Sequence, residues 1–236
     1  MQHICSLMRS AIDTYNMIEE NDKIAVGVSG GKDSLVLLYG LHLLSKYYPK
    51  QFSIVAVTLD PCFENNDSDF SSIESFCEQN GIEYHIKRTK LYEVVFLDRK
   101  EKNPCSLCAK MRRGILHDMA KLYGCNKIAL GHHKDDAVET FLMNILQGGS
   151  ISCFSPVTYL SNKDITMIRP MIALNETEVE KACAKNNLPV TKSNCPVDKT
   201  TVREETKNLI KTLEQDYPSL KAKIIHAMKK HDVSGW

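Results

Sequence analysis

Residues 24–34 (IAVGVSGGKDS) constrain the fold more than any other stretch. The apolar run at 24–28 reads as a buried parallel strand. Gly30 and Gly31 then let the backbone turn sharply, and 35–44 reads as the helix that follows. A strand that delivers a small-residue turn to a helix start brings bare N–H groups to phosphate. Lys32 adds a full positive charge there.

Two common phosphate loops are excluded. A Walker A loop needs Gly six residues before the Lys and Ser or Thr just after it, but Val26 and Asp33 stand there. The dinucleotide fingerprint fails too, because no two glycines of the turn stand two apart. An acid inside a phosphate loop points to a metal or a nucleotide. Residues 29–34 (SGGKDS) resemble the PP-loop of the ATP-pyrophosphatase superfamily. That resemblance implies cleavage of ATP between its α- and β-phosphates and adenylation of a substrate.

The rest of the chain alternates strands with helices. Helices are predicted at 4–20, 33–46, 69–80, 108–123, 136–147, 175–187, 201–215 and 218–230, and strands at 24–28, 52–59, 82–87, 127–130 and 165–168. Segment 98–107 is polar, holds Pro104 and reads as a loop. This order predicts an α/β fold, a Rossmann-like doubly wound and mostly parallel sheet with C-terminal helices. The expected divisions are an N-terminal helix (1–22), a PP-loop domain (23–174) and a helical segment packed on it (175–236), together one compact unit. In such sheets ligands bind beyond the carboxyl ends of the strands, where strand order switches. The phosphate loop, Asp60 and the turn at 131–136 each follow a strand and should line one crevice.

At 236 residues, 43% apolar and 25% charged, the composition is that of a globular protein. No run is long enough to span a membrane and the first residues lack a signal-peptide pattern, so a cytoplasmic location without membrane association is expected. A net charge of +1 does not advertise a nucleic-acid binder, although Lys110, Arg112 and Arg113, and the tail from Lys221 to Lys230, form local basic stretches. Nine cysteines in a chain of this kind argue for thiols used as ligands or catalysts.

Residues 104–108 (PCSLC) place two sulfurs within reach of one metal or of each other. A redox dithiol would sit directly after a strand, whereas a polar segment precedes this one. A structural zinc site would want a second such pair, and none exists. Cys195, within 193–196 (SNCP), is the natural third partner, and three thiolates suit an iron–sulfur cluster with one iron lacking a protein ligand. Cys5, Cys62, Cys77, Cys125, Cys153 and Cys183 read as small buried hydrophobes. The turn Gly131, His132, His133, Lys134, Asp135, Asp136 opens a helix in the expected crevice. Its carboxylates could hold Mg²⁺ on ATP phosphates. Its adjacent histidines point apart, so at least one is structural.

The ordered set of SGGKDS, PCSLC, 129–136 (ALGHHKDD) with Glu139 and Thr140, 168–170 (IRP), the late Cys195 and 216–218 (DYP) closely resembles the tRNA 2-thiocytidine synthetase family. The likeness runs from about residue 24 to about residue 228. It implies ATP, Mg²⁺ and a 4Fe–4S cluster as cofactors, tRNA as substrate, and a cysteine desulfurase or other sulfur donor as partner. Carried over by position, Ser29, Gly30, Gly31, Lys32, Asp33, Ser34, Asp60 and Gly131 would bind ATP. Cys105, Cys108 and Cys195 would hold the cluster, and Lys32, Asp33, Asp135 and Asp136 would serve catalysis. Lys110, Arg112 and Arg113 are candidate tRNA contacts; Arg112, one turn after Cys108, could neutralise charge beside the cluster or lie on a solvated helix face. The implied reaction makes the C2 oxygen of an anticodon-loop cytidine into AMP, a good leaving group, and replaces it with sulfur.

Rivals of the same fold are weaker. A lysidine synthetase needs no cysteine set, and the 2-thiouridine synthetases add terminal zinc pairs that are absent here. A sulfurtransferase for another base or a small molecule, and a cluster-bearing ATP sensor without turnover, stay open. A homodimer is compatible with the sequence.

Overall fold

The computed structural model describes residues 1–99, 104–192, 194–195 and 202–236. In chain order the elements are α1 (Gln2–Thr14), β1 (Asp22–Gly27), α2 (Lys32–Leu44), β2 (Phe52–Asp60), α3 (Ser71–Asn80), β3 (Glu83–Arg88), α4 (Pro104–Leu122), β4 (Lys127–Ala129), α5 (Lys134–Gly148), β5 (Val157–Leu160), β6 (Ile165–Ile168), α6 (Glu176–Lys185), α7 (Val202–Asp216) and α8 (Leu220–Lys230).

Six strands form one sheet in the order β3-β2-β1-β4-β6-β5. All neighbours are parallel except β5, which runs antiparallel to β6. β1 has β2 on one side and β4 on the other, so the strand order switches direction between β1 and β4. β1 and α2 carry almost uninterrupted apolar residues because both are covered. Ile24, Ala25, Val26, Leu35, Val36, Leu37 and Leu38 have no exposed surface. The main core joins α1, β1, α2, α5 and α6 to Ile210, Ile225 and Met228 of the two last helices.

Three expectations are corrected. The helix predicted over 4–20 stops at Thr14, because Asn16 adopts a left-handed backbone (φ 48°) and turns Met17 and Ile18 into the core. The strand β5 was not expected; its four residues are half-buried and carry only a short pattern. Segment 98–107 is not a loop throughout, since α4 starts at Pro104; residues 100–103 lie outside the described part. Proline suits that position, where its fixed φ is helical and the missing N–H would have no partner. Cys105 and Cys108 therefore stand three apart on one helix face.

Candidate functional site

The phosphate loop follows β1 at the switch point. Gly30 has φ +86°, a left-handed conformation that favours glycine. A Cβ there would lie 2.0 Å from Thr191 Oγ1, and the Thr191 N–H donates to the Gly30 carbonyl at 3.0 Å. The loop is braced internally: the Ser29 N–H donates to Ser34 Oγ (3.1 Å), whose hydroxyl donates to the Gly31 carbonyl (2.9 Å). Gly31 is the N-cap of α2, so the first N–H groups of that helix have no intrahelical acceptor. On the other side Gly131 packs against the backbone of Asp33 and Ser34, where a Cβ would sit 3.1 Å from the Asp33 carbonyl.

Lys32 and Asp33 open α2. Lys32 Nζ lies 3.2 Å from Glu176 Oε1, 3.4 Å from Asp33 Oδ1 and 4.0 Å from Glu180 Oε1. Burial alone would lower the Lys32 pKa, but Asp33 and Glu176 outweigh it and raise it. Burial pushes the Asp33 carboxyl up, against the pull of Lys32 and His133. Asp33 Oδ1 makes no hydrogen bond although it is buried, with His133 Nε2 3.8 Å away. A buried carboxylate oxygen left in this state beside a lysine and a helix N-terminus suits a metal–phosphate group.

The two aspartates of the 131–136 turn diverge. Asp136 lines the crevice; its Oδ2 accepts the His133 N–H (2.9 Å) and its Oδ1 meets Arg203 at 3.1 Å. Asp135 faces away. Its Oδ2 accepts the Glu176 N–H at the start of α6 (2.7 Å) and its Oδ1 meets Lys221 of α8 (2.8 Å). Burial would raise the Asp135 pKa, but Lys221 and that N–H hold it below the ordinary value. Asp60 has no exposed surface, and its carboxylate accepts from Cys62 N (3.1 Å), Ser68 N (2.8 Å) and Ser68 Oγ (3.0 Å). It therefore holds the 62–68 loop from the end of β2.

Two cavities flank Ser29. The larger, about 720 Å³, reaches from the loop past His132 and Asp136 to Phe154 and Arg169, with Arg112 and Arg113 of α4 on its wall. The His132 ring tilts against Phe154 with centroids 4.9 Å apart, and the Arg169 guanidinium lies 4.9 Å over the same ring. Burial pushes the His132 imidazole far down, keeping it neutral. It also brings the Arg169 guanidinium down to about 10, which leaves the positive charge in place at neutral pH. The second cavity, about 530 Å³, is lined by Ser29 and Gly31 of the loop, by Arg112, and by Thr191, Lys192 and Asn194.

Cys105 is exposed and Cys108 and Cys195 are half-buried. Burial raises the Cys108 pKa, Arg112 opposes it, and Cys195 and Cys105 both add to it. The three thiols thus share one neighbourhood although 87 residues separate Cys108 from Cys195. Three thiols close enough to act on one another, with Arg112 beside Cys108, are the kind of donor set that suits an iron–sulfur cluster. Of the other cysteines, Cys5, Cys77, Cys125 and Cys183 are buried as expected; Cys62 and Cys153 are half-buried, and Cys153 lines the larger cavity. Lys110 is exposed on α4.

Sequence reasoning missed Glu176, Arg203 and Lys207. Arg203 Nη1 bridges Asp136 and Glu139 (3.4 Å), and its Nη2 donates to Thr140 (3.2 Å). Their partners lie 31 to 144 residues away, so no local spacing marks them.

A parallel sheet with a glycine turn at its switch point, and a lysine and an aspartate paired at the helix start, define a nucleotide-binding α/β protein of the phosphate-loop class. Residues 5–212 match the PP-loop domain family. The tRNA-cytidine(32) 2-sulfurtransferase of Citrifermentans bemidjiense is 37% identical over 221 residues, covering 92% of this chain and 86% of that protein. The protein of the same name from Geotalea uraniireducens is 38% identical over 221 residues, covering 92% and 87%. The solved structure of the U34-tRNA thiolase NcsA from Methanococcus maripaludis with its 4Fe–4S cluster matches with a TM-score of 0.77 at 30% identity, over 95% of this chain and 77% of that one. The chain belongs to the PP-loop family, in the branch of the tRNA-cytidine(32) 2-sulfurtransferases.

Proposed function

We propose that this protein is an ATP-dependent tRNA sulfurtransferase that converts cytidine 32 to 2-thiocytidine. One observation carries the reading. A single cavity is bounded by the phosphate loop, by Arg112 on the helix of Cys105 and Cys108, and by the segment leading to Cys195. Asn194 lines that cavity and Cys195 follows it in the chain, which supports activation and sulfur delivery sharing one space.

The C2 oxygen of the cytidine attacks the α-phosphate, the bond to the β-phosphate breaks, and pyrophosphate leaves with the electron pair. The N–H groups of the loop and Lys32 face that departing charge as a preorganised set of donors. Asp33 and Asp136 would hold a magnesium ion on the phosphates. Cys105, Cys108 and Cys195 would hold the cluster, which when bound would supply the sulfur. Arg112 balances negative charge between the thiolates and the nucleotide. AMP then leaves as sulfur takes the place of oxygen. Asp135 and Asp60 serve as supports, one for α6 and the other for the 62–68 loop. A cysteine desulfurase as sulfur source and a cytoplasmic setting complete the proposal. Among the described residues no helix is long and apolar enough to cross a membrane.

Mass spectrometry of tRNA nucleosides from cells lacking the gene should show loss of 2-thiocytidine, and an unchanged thionucleoside profile overturns the reading. Restoring the gene with Cys108→Ser should leave thiolation at least ~100-fold down, while ATP binding by the purified variant stays within about twofold. Equal loss of both would mean that the thiols support the nucleotide site and do not deliver sulfur.

A further inference from the structure

The phosphate-loop lysine does not stand alone. Glu176, the first residue of α6, pairs with two ammonium groups from different helices. Lys32 Nζ is 3.2 Å from its Oε1, and Lys207 Nζ of α7 is 2.8 Å from each of its oxygens. Its own N–H is fixed by Asp135 at 2.7 Å, so the carboxylate projects from an anchored helix start. That position favours an anion. Burial would raise its pKa, but Lys207 and Lys32 bring it down to about 2, so it is ionised throughout the physiological range.

We infer that Glu176 is a positioning residue for Lys32, holding the ammonium at the start of α2 and itself balanced by Lys207. The inference rests on ATP binding at residues 29–34 and is independent of which acceptor receives the sulfur. A lysine side chain has four rotatable bonds and loses much entropy when fixed on a ligand. A carboxylate that orders it beforehand reduces that loss at the moment the phosphates arrive. The same carboxylate competes with the phosphates for the ammonium charge. Lys207 moderates the competition, since it draws part of the Glu176 charge towards α7. Glu180, at 4.0 Å from Lys32, is too far and too exposed to replace it.

These opposing effects give a signature that a merely structural residue would not show. Glu176→Gln keeps the size and removes the competing charge. It should tighten ATP roughly 3- to 10-fold and slow pyrophosphate release roughly 10-fold, because Lys32 is freed but no longer aimed. Lys207→Met leaves Glu176 to Lys32 alone and should weaken ATP by roughly 3- to 10-fold, the opposite direction. Glu176→Asp should recover part of the rate. Equilibrium ATP binding to the full-length chain, with the wild type as control, reads the first effect, and single-turnover pyrophosphate release reads the second. Melting temperatures identify any variant that has lost its fold. Should folded Glu176→Gln weaken ATP, leave both quantities within about twofold, or move in the same direction as Lys207→Met, the inference is overturned. A wild type that fails to bind ATP would instead remove the reading of the loop itself.

Discussion

The two ends of strands β1 and β4 use the same kinds of side chain to opposite purpose. At the amino ends, Asp22 and Lys127 form a buried pair at 2.8 Å. Asp22 also accepts from Glu19 N and Asn126 Nδ2, both at 2.6 Å, while Lys127 donates to the Met17 carbonyl at 2.9 Å. Every charge there has its partners within the fold. At the carboxyl ends, Lys32, Asp33 and His133 also gather, but Asp33 Oδ1, His132 Nδ1 and His133 Nδ1 are buried without a hydrogen bond. A closed set of partners stabilises the sheet, whereas an unfinished one prepares it for a ligand.

The contrast can be broken most forcefully at its closed end. Lys127→Met strands Asp22 in the core and should cost about 3–5 kcal/mol in urea unfolding. ATP affinity of the fraction that remains folded should not change. A parallel loss of affinity would show that the two ends are not separable.

At the open end, Glu139 gives the next effect. Burial and Asp136 raise its carboxyl from 4.5 to about 7, against Arg203. Between those values the folded protein holds the proton that the unfolded chain has released. This contribution to stability is therefore full below pH 4.5 and declines as pH rises through 7, by at most about 3 kcal/mol. Glu139→Gln should flatten the stability profile over that window, as measured by urea unfolding at a series of pH values. A profile with the wild-type slope would place the titration elsewhere.

Gly30→Ala should have the smallest cost in stability, about 1–2 kcal/mol for a left-handed non-glycine residue. It should nonetheless weaken ATP about 10-fold, since the new Cβ must push Thr191 aside and shift the loop. An Ala variant with unchanged ATP binding would show that the loop tolerates that displacement.

What the sequence made legible was local. β1, the glycine turn and α2 follow from eleven consecutive residues, and parallel topology then brings the loop and the 131–136 turn to one crevice. What escaped was set by distance and direction. Nothing in the adjacent pair Asp135 and Asp136 tells which faces the cavity, because that depends on where α6, α7 and α8 come to rest. Glu176 meets Lys32 across 144 residues. The start of α4 was misread because proline, a breaker within a helix, is at home in its first turn. β5 was missed because four half-buried residues carry too little alternation to mark a strand.

The backbone bond from Thr191 to Gly30 has a consequence for reach. Thr191 and Cys195 are four links apart, and a fully extended chain covers only about 3.3–3.6 Å per residue. While that bond holds, the backbone of Cys195 cannot stand farther than about 14 Å from that of Thr191, however α7 shifts. The covalent chain thus acts as a ruler between the glycine turn and Cys195.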